Sequence, residues 1–250
     1  MSGHSKWSTI KRKKGAADAK RGKIFTRIMR EVTVAAKTGG GDPDGNPRLR
    51  TAMDTAKAAN MPKDNIAKAI KKGTGELEGV TYDEITYEGY GPGGVAFLIE
   101  CLTDNKNRAA AEVRHTLVKR GGSLAKSGAV GYLFESKGSL TFDKDGLDED
   151  TIMEVALEAG AEDVRDEEDA WVVLTDPTEF NDVVEAIEAS ELTPVESQLS
   201  KLPTTMVDIT DAKQAGQVLA LMEALDECDD VQNVWTNFDI PDEIMDTMDS

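Results

Sequence analysis

The stretch "ITYEGYGPGGVAFLIECLT", residues 85–103, restricts the fold more than any other part of the chain. Two strand-like apolar runs flank "GPGG", a tight-turn signal, so the backbone commits to a hairpin here. Upstream the apolar residues recur with a helical period, and the pattern changes at "GTGELEGVTYDE". After the hairpin a helix is predicted from about Lys106 to Arg120. Ala110, Val113 and Leu117 point inward on it, and Arg108, Glu112, His115 and Lys119 lie on the opposite face. "AVGYLFES" reads as a third strand. This β-β-α-β run stops one helix and one strand short of a split β-α-β sandwich.

The missing pieces come some 70 residues later. "TTMVDI" is strand-like, Val218, Leu221, Met222 and Leu225 mark a helix, and "VQNVWTNF" is a closing strand. The intervening segment repeats the design. "SLTFD" is followed by a helix with Ile152, Val155, Ala156 and Ala159. "DAWVVLTD" is followed by a helix with Phe180, Val183, Val184 and Ile187, and "TPVESQL" closes the unit. Towards the N-terminus, Ile24, Ile28, Val32 and Ala35 share one helical face. "TGGGDPDG" breaks that helix. Pro47 opens a second, with Leu49, Ala52, Met53 and Ala56, and Pro62 a third, with Ile66 and Ile70, ending at Gly73.

The expected fold is α+β with three domains. An N-terminal three-helix domain precedes two ferredoxin-like α/β sandwiches, the second inserted into the first. The expected boundaries are a flexible basic arm at 1–22, the helical domain at 23–78, and a ferredoxin-like domain at 79–136 and 204–240. The acidic insert occupies 137–203 and a tail 241–250.

Charge is distributed as unevenly as structure. Residues 1–72 carry 18 Lys/Arg against 6 Asp/Glu, net +12, and the remainder is net -30. Solubility rarely requires such segregation, so the basic third points to a polyanion and the acidic part to a surface the polyanion repels. Lys11, Arg12, Lys13, Lys14, Lys20, Arg21 and Lys23 have too little apolar company to form a core. Neutralised phosphates release condensed counterions, which favours cations on mobile chains. Trp7 adds stacking capacity. Further cations lie on the helical domain at Arg27, Arg30, Lys37, Arg48, Arg50, Lys57, Lys68, Lys71 and Lys72. Arg108, His115 and Lys119 form a possible second patch, for which i,i+4 pairing with Glu112 on an exposed face is an equal alternative.

Chemistry finds little support. The chain has two histidines, His4 and His115, and neither sits among potential metal ligands. Acid runs such as "DKDGLDEDT" lack the spacing of a calcium loop, and "GYGPGG" lacks the lysine and spacing of a phosphate loop. No catalytic constellation stands out, so neither enzyme activity, metal nor cofactor is expected. Cys101 and Cys228 have no pairing signature and read as free thiols in a reducing compartment. No apolar run approaches the roughly 20 residues of a membrane span, and the N-terminus has no apolar signal core. A cytoplasmic monomer with no membrane partner is expected.

"GHSKWSTIKRKKGAADAKRGKIF", "NPRLRTAMDTAKAANMPKDNIAKAIKKG", "YEGYGPGGVAFLIECLTDNKNRAAAEVRH" and "GAVGYLFESKG" closely resemble the YebC family of bacterial proteins. Mitochondrial relatives of that family include the translational activator of cytochrome c oxidase. The resemblance runs from Ser2 to about Ile240 and is weakest over the acidic insert. It implies a helical domain and two ferredoxin-like domains, and no enzymatic activity. It also implies DNA-binding transcriptional regulation, or ribosome-associated help with synthesis through proline-rich stretches. The partner would be DNA, or ribosomal RNA or tRNA, together with the ribosome or basic proteins. Carried over by position, its nucleic-acid contacts are His4, Ser5, Lys6, Trp7, Lys11, Lys14, Lys20, Arg21 and Lys23. Many relatives have a "KHRK"-like segment where this chain has "KRKK", which keeps the charge and lacks the histidine. The alternative is an acidic protein-interaction module with no direct nucleic-acid role.

Overall fold

The computed structural model describes residues 18–167, 170–190, 192–241 and 243–245. In chain order the helices and strands are α1 (Asp18–Gly39), α2 (Pro47–Ala58), α3 (Lys63–Gly73), β1 (Asp83–Tyr90), β2 (Ala96–Thr103), α4 (Lys106–Lys119), β3 (Ser123–Leu124) and β4 (Phe134–Asp143). They continue with α5 (Glu149–Glu158), β5 (Asp163–Glu167), β6 (Ala170–Thr175), α6 (Phe180–Ala189), β7 (Glu196–Pro203), β8 (Val207–Asp208), α7 (Ala212–Asp226), β9 (Val231–Thr236) and β10 (Phe238–Asp239). The protein is α+β and divides into two compact units. One runs to Phe134 and resumes at Pro203, and the other is Glu135–Leu202.

In the larger unit, α1–α3 enclose Ile28, Val32, Ala35, Leu49, Ala52, Ala56, Ile66 and Ala69. Asn46 joins the first two helices. Its carbonyl oxygen accepts the Leu49 N–H at 3.1 Å, and its amide donates to Ala35 and Gly40 carbonyls, each at 2.8 Å. One buried side chain thus satisfies orphan groups at the end of α1 and the start of α2. Helix α3 crosses α1 at Gly73, where a Cβ would lie 2.4 Å from the Thr33 carbonyl oxygen. Two expectations shift. Helix α1 already begins at Asp18, inside the stretch read as an arm. Ile24 is 40% exposed, and Phe25 packs on the helical core instead.

The first sheet has the order β3-β1-β2-β9. Tyr90 pairs with Ala96 across the hairpin, whose turn uses Gly93 and Gly94 at φ +75° and +77°, a region open to glycine. Helices α4 and α7 cover one face through Val113, Leu117, Val218, Leu221, Met222 and Leu225, packed on Phe97 and Ile99. On α4 the buried row is Ala109, Val113 and Leu117, so Ala109 replaces the expected Ala110. Ala96, Leu98 and Trp235 line the other face with Val130 and Phe134.

The third strand was expected at "AVGYLFES", and the structure places it at Ser123–Leu124. Residues 131–133 form a 3-10 turn, and Phe134–Asp143 is one continuous strand of the second sheet. The cause is Glu88. Its carboxylate accepts the N–H groups of Gly128, Val130 and Gly131 at 2.6, 2.6 and 2.8 Å. Donors bound to a side chain are lost to a strand ladder. "TTMVDI" also departs from expectation, since β8 pairs in parallel with β10 in a separate two-stranded ribbon.

The smaller unit has the sheet order β5-β6-β4-β7. β4–α5–β5 is a split β-α-β unit with β6 between its strands, and α6 leads to the β7 edge. Its core joins Leu140, Phe142, Trp171 and Val173 to Ile152, Ala156, Phe180, Val183 and Ile187. Asp148 caps α5 by accepting the Thr151 N–H at 2.9 Å. No helix among the described residues is long and apolar enough to cross a membrane.

Candidate nucleic-acid interface

His4, Ser5, Lys6, Trp7, Lys11, Arg12, Lys13 and Lys14 lie outside the described residues. Lys20 and Arg21 fall on the first turn of α1, where the backbone alone is described. The cations that follow separate into two groups, committed and free.

Lys23, Arg27 and Arg30 recur at helical spacing on α1, the first two engaging the end of α7 and Arg30 the turn that follows it. Lys23 donates to the Glu227 carbonyl and lies 3.8 Å from Asp229. Arg27 reaches the Asp226 carboxylate at 2.8 Å and also its carbonyl. Arg30 donates to Asp230 at 2.9 Å, to the Asp229 carbonyl at 2.6 Å and to Leu102 at 3.2 Å, and sits 5.4 Å from the Tyr82 ring centroid. The last carbonyls of a helix lack internal partners and carry partial negative charge, so cations are favoured there. Arg27 and Arg30 retain only 15% and 13% side-chain exposure. Their charge is directed into the protein.

Arg48 is held by Glu31 at 2.6 Å and Glu84 at 2.6 Å. Burial disfavours its charge, and the two carboxylates outweigh that, so its pKa is raised. Arg50 donates to the Pro43 and Asp44 carbonyls, each at 3.3 Å. Arg108 binds Asp230 at 2.8 Å and Asp104 at 2.6 Å. Both partners raise its pKa, and Arg108 lowers that of Asp104. A cleft of about 690 Å³ between Arg30, Tyr82, Asp104, Arg108 and Asp230 therefore has both its guanidiniums committed to acids.

Helix α3 is different. It buries Ile66 and Ala69 and exposes Lys63, Lys68, Lys71 and Lys72, with Asp64 as its one acid. None of these lysines has an ion pair with a described residue. Gly73 lies against the backbone of Lys37, so the C-terminal end of α3 meets an exposed lysine near the end of α1. Lys68, Lys71 and Lys72 were legible from the stripe they oppose, and Lys63 was missed. His115 and Lys119 are also exposed.

In the smaller unit every cation is engaged. Lys137 pairs with Glu162 at 2.5 Å, Lys144 with Asp166, and Arg165 with Asp163 at 3.1 Å, while Lys201 donates to the Ser136 hydroxyl at 2.6 Å. The charge left uncommitted there is anionic.

Residues 5–76 match the family model of the TACO1/YebC protein N-terminal domain, and residues 82–238 that of the TACO1/YebC second and third domain. The chain is 59% identical over 243 residues to a "Probable transcriptional regulatory protein" of Desulfatibacillum aliphaticivorans, covering 97% of this chain and 98% of the relative. A protein of the same name from Syntrophobacter fumaroxidans is 58% identical over 246 residues, 98% of this chain and 99% of its own. The crystal structure of a conserved hypothetical protein from Aquifex aeolicus matches with a TM-score of 0.84 and 47% identity, over 90% of this chain and 92% of that one.

Proposed function

The chain belongs to the TACO1/YebC family, and from that premise we propose that it is a non-enzymatic, nucleic-acid-binding regulator of gene expression. The observation that carries the reading is the row of free lysines on α3, set against a smaller unit in which every cation is engaged. With the basic run at residues 4–25, α3 makes one end of the sequence attractive to phosphates, while the acidic smaller unit is repelled by them. The relatives' shared name supports a regulator.

Between duplex DNA and the ribosome, the side chains favour the ribosome. Sequence-specific duplex readout uses base-edge donors and acceptors on a helix lying in the major groove. The outward row of α3 is lysine, which makes phosphate contacts that position without specifying. A basic end on an acidic body suits a crowded surface of RNA and basic proteins. Within that reading the protein acts in the cytoplasm as a monomer without cofactor and assists synthesis through proline-rich stretches. If about 6 phosphates are contacted, log affinity falls against log salt with a slope of roughly -4 to -5.

The test is co-sedimentation with ribosomes at near-physiological salt, comparing intact protein, a form lacking residues 1–22, and Lys68→Gln/Lys71→Gln/Lys72→Gln. Binding by the intact protein that weakens in both altered forms supports the ribosome reading. A shift of duplex DNA without ribosome binding moves the function to transcription. Ribosome binding unchanged in both altered forms would favour the acidic surface as the interaction module.

A further inference from the structure

The register of α4 creates a feature that the charge count hides. With Ala109, Val113 and Leu117 buried, the outward row is Ala111, Arg114, His115, Val118 and Lys119, all exposed, with Arg120 exposed at the C-cap. Eleven Lys/Arg lie beyond residue 72. Five are ion-paired, namely Lys106, Arg108, Lys137, Lys144 and Arg165. Lys201 donates to Ser136. Three of the other five, Arg114, Lys119 and Arg120, fall within seven residues, and none has an ion pair with a described residue.

Glycine turns flank this end of α4. Gly121 has φ +82°, and a Cβ there would lie 3.9 Å from the Pro92 ring. Gly122 packs against the Tyr90 carbonyl, where a Cβ would approach to 2.6 Å, so the "RGG" turn lies beside the "GPGG" hairpin. Gly94 has open space where its side chain would be. A surface without side chains lets a bulky polyanion come close to the backbone and to the cations beside it.

We propose that the C-terminal half of α4, with Arg114, Lys119 and Arg120 beside these glycine turns, is a second contact for the phosphate backbone of nucleic acid. It is separate from the lysines of α3. The inference rests on the nucleic-acid reading above and adds a second contact to it. Favourable cations at a helix C-terminus would account for Lys119 and Arg120. They would not account for Arg114, a turn earlier, nor for Val118 left 62% exposed on the same face. Val118 is the one large apolar side chain in the outward row of α4, too little for an apolar docking face on that row, whereas phosphates require only charge and access. Arg108, first grouped with this patch, is excluded because Asp104 and Asp230 hold it.

The experiment measures binding of full-length protein to a short fluorescent single-stranded RNA, with duplex DNA as a second arm, across a salt series. Wild type is compared with Arg114→Gln/Lys119→Gln/Arg120→Gln and with the α3 triple variant. Loss of three phosphate contacts weakens RNA binding about 100-fold near 0.1 M salt and makes the salt slope shallower by about 2. In wild type, bound RNA protects Lys119 from acetylation, a readout independent of how the variant folds. Unchanged affinity and slope in the α4 variant, with Lys119 still acetylated, overturns the inference and leaves the proposed function standing if the α3 variant is weakened. Weaker ribosome co-sedimentation with unchanged RNA binding assigns the patch to a protein and also overturns it. Failure of wild type to bind either nucleic acid removes the proposed function and this inference together.

Discussion

Arg30 on α1 and Asp230 before β9 meet at 2.9 Å, with the Asp230 side chain only 2% exposed. The same carboxylate accepts from Arg108 at 2.8 Å and from the Thr103 hydroxyl at 2.9 Å. A single buried acid therefore ties the helical segment to the sheet segment of the larger unit. An anion removed from water is tolerated when several donors surround it.

Asp230→Asn removes the counter-ion of a largely buried arginine. Breaking such a pair from one side costs about 3–5 kcal/mol. The urea midpoint of the larger unit should fall accordingly. A change within about 0.5 kcal/mol, the range of an ordinary surface substitution, would mean that water replaces the carboxylate at no cost.

Glu88, 8% exposed, organises residues 128–131 through its carboxylate. Burial alone would raise its pKa, and the N–H groups of Val130, Gly128, Gly131 and Ala129 overcome that, so the value lies below the ordinary 4.5. A depressed carboxylate stabilises the folded state fully above the unfolded value, and the contribution disappears as pH falls through the lower folded value. Hydrogen exchange at Gly128, Val130 and Gly131, taken relative to the intrinsic rate at each pH, should speed up on acidification below about pH 4.5. In Glu88→Gln it should be fast at neutral pH, with about 1–3 kcal/mol lost from the loop. Equal protection in the variant and wild type would remove Glu88 from this role.

Gly138→Ala probes the smaller unit. A Cβ there would lie 2.1 Å from Thr175 Oγ1 and 2.5 Å from the Phe180 ring. Overpacking of this kind costs about 1–3 kcal/mol. In thermal unfolding the smaller unit should melt earlier. Trp171 is the one tryptophan within Glu135–Leu202 and 7% exposed, so its fluorescence reports the change.

Cys101 and Cys228 are 2% and 5% exposed. Burial pushes the Cys101 thiol up to about 12 and also raises that of Cys228. Because the thiolate is the reactive form, neither should label with a thiol reagent at pH 8 until urea unfolds the chain. Rapid labelling of either thiol in native protein would contradict this packing.

Local pattern determined the helices and most strands. Val218, Leu221, Met222 and Leu225 share a face because helix geometry repeats at three and four residues, and all four are fully buried as that spacing implies. The hairpin at residues 85–103 was equally legible, since a glycine turn between apolar runs has few alternatives. Charge segregation, too, is a property of the sequence alone. What the tertiary structure decided is which charges are available. "KRGKIFTRIMRE" reads as one basic run, yet Arg27 and Arg30 face acids 199 and 200 positions away. The backbone donors of residues 128–131 likewise went to Glu88, about 40 positions earlier, and the third strand formed elsewhere. A cation facing water and one facing a distant carboxylate look the same in sequence, because the partner is chosen by how the fold brings α1 to residues 226–230 and by nothing within the run itself.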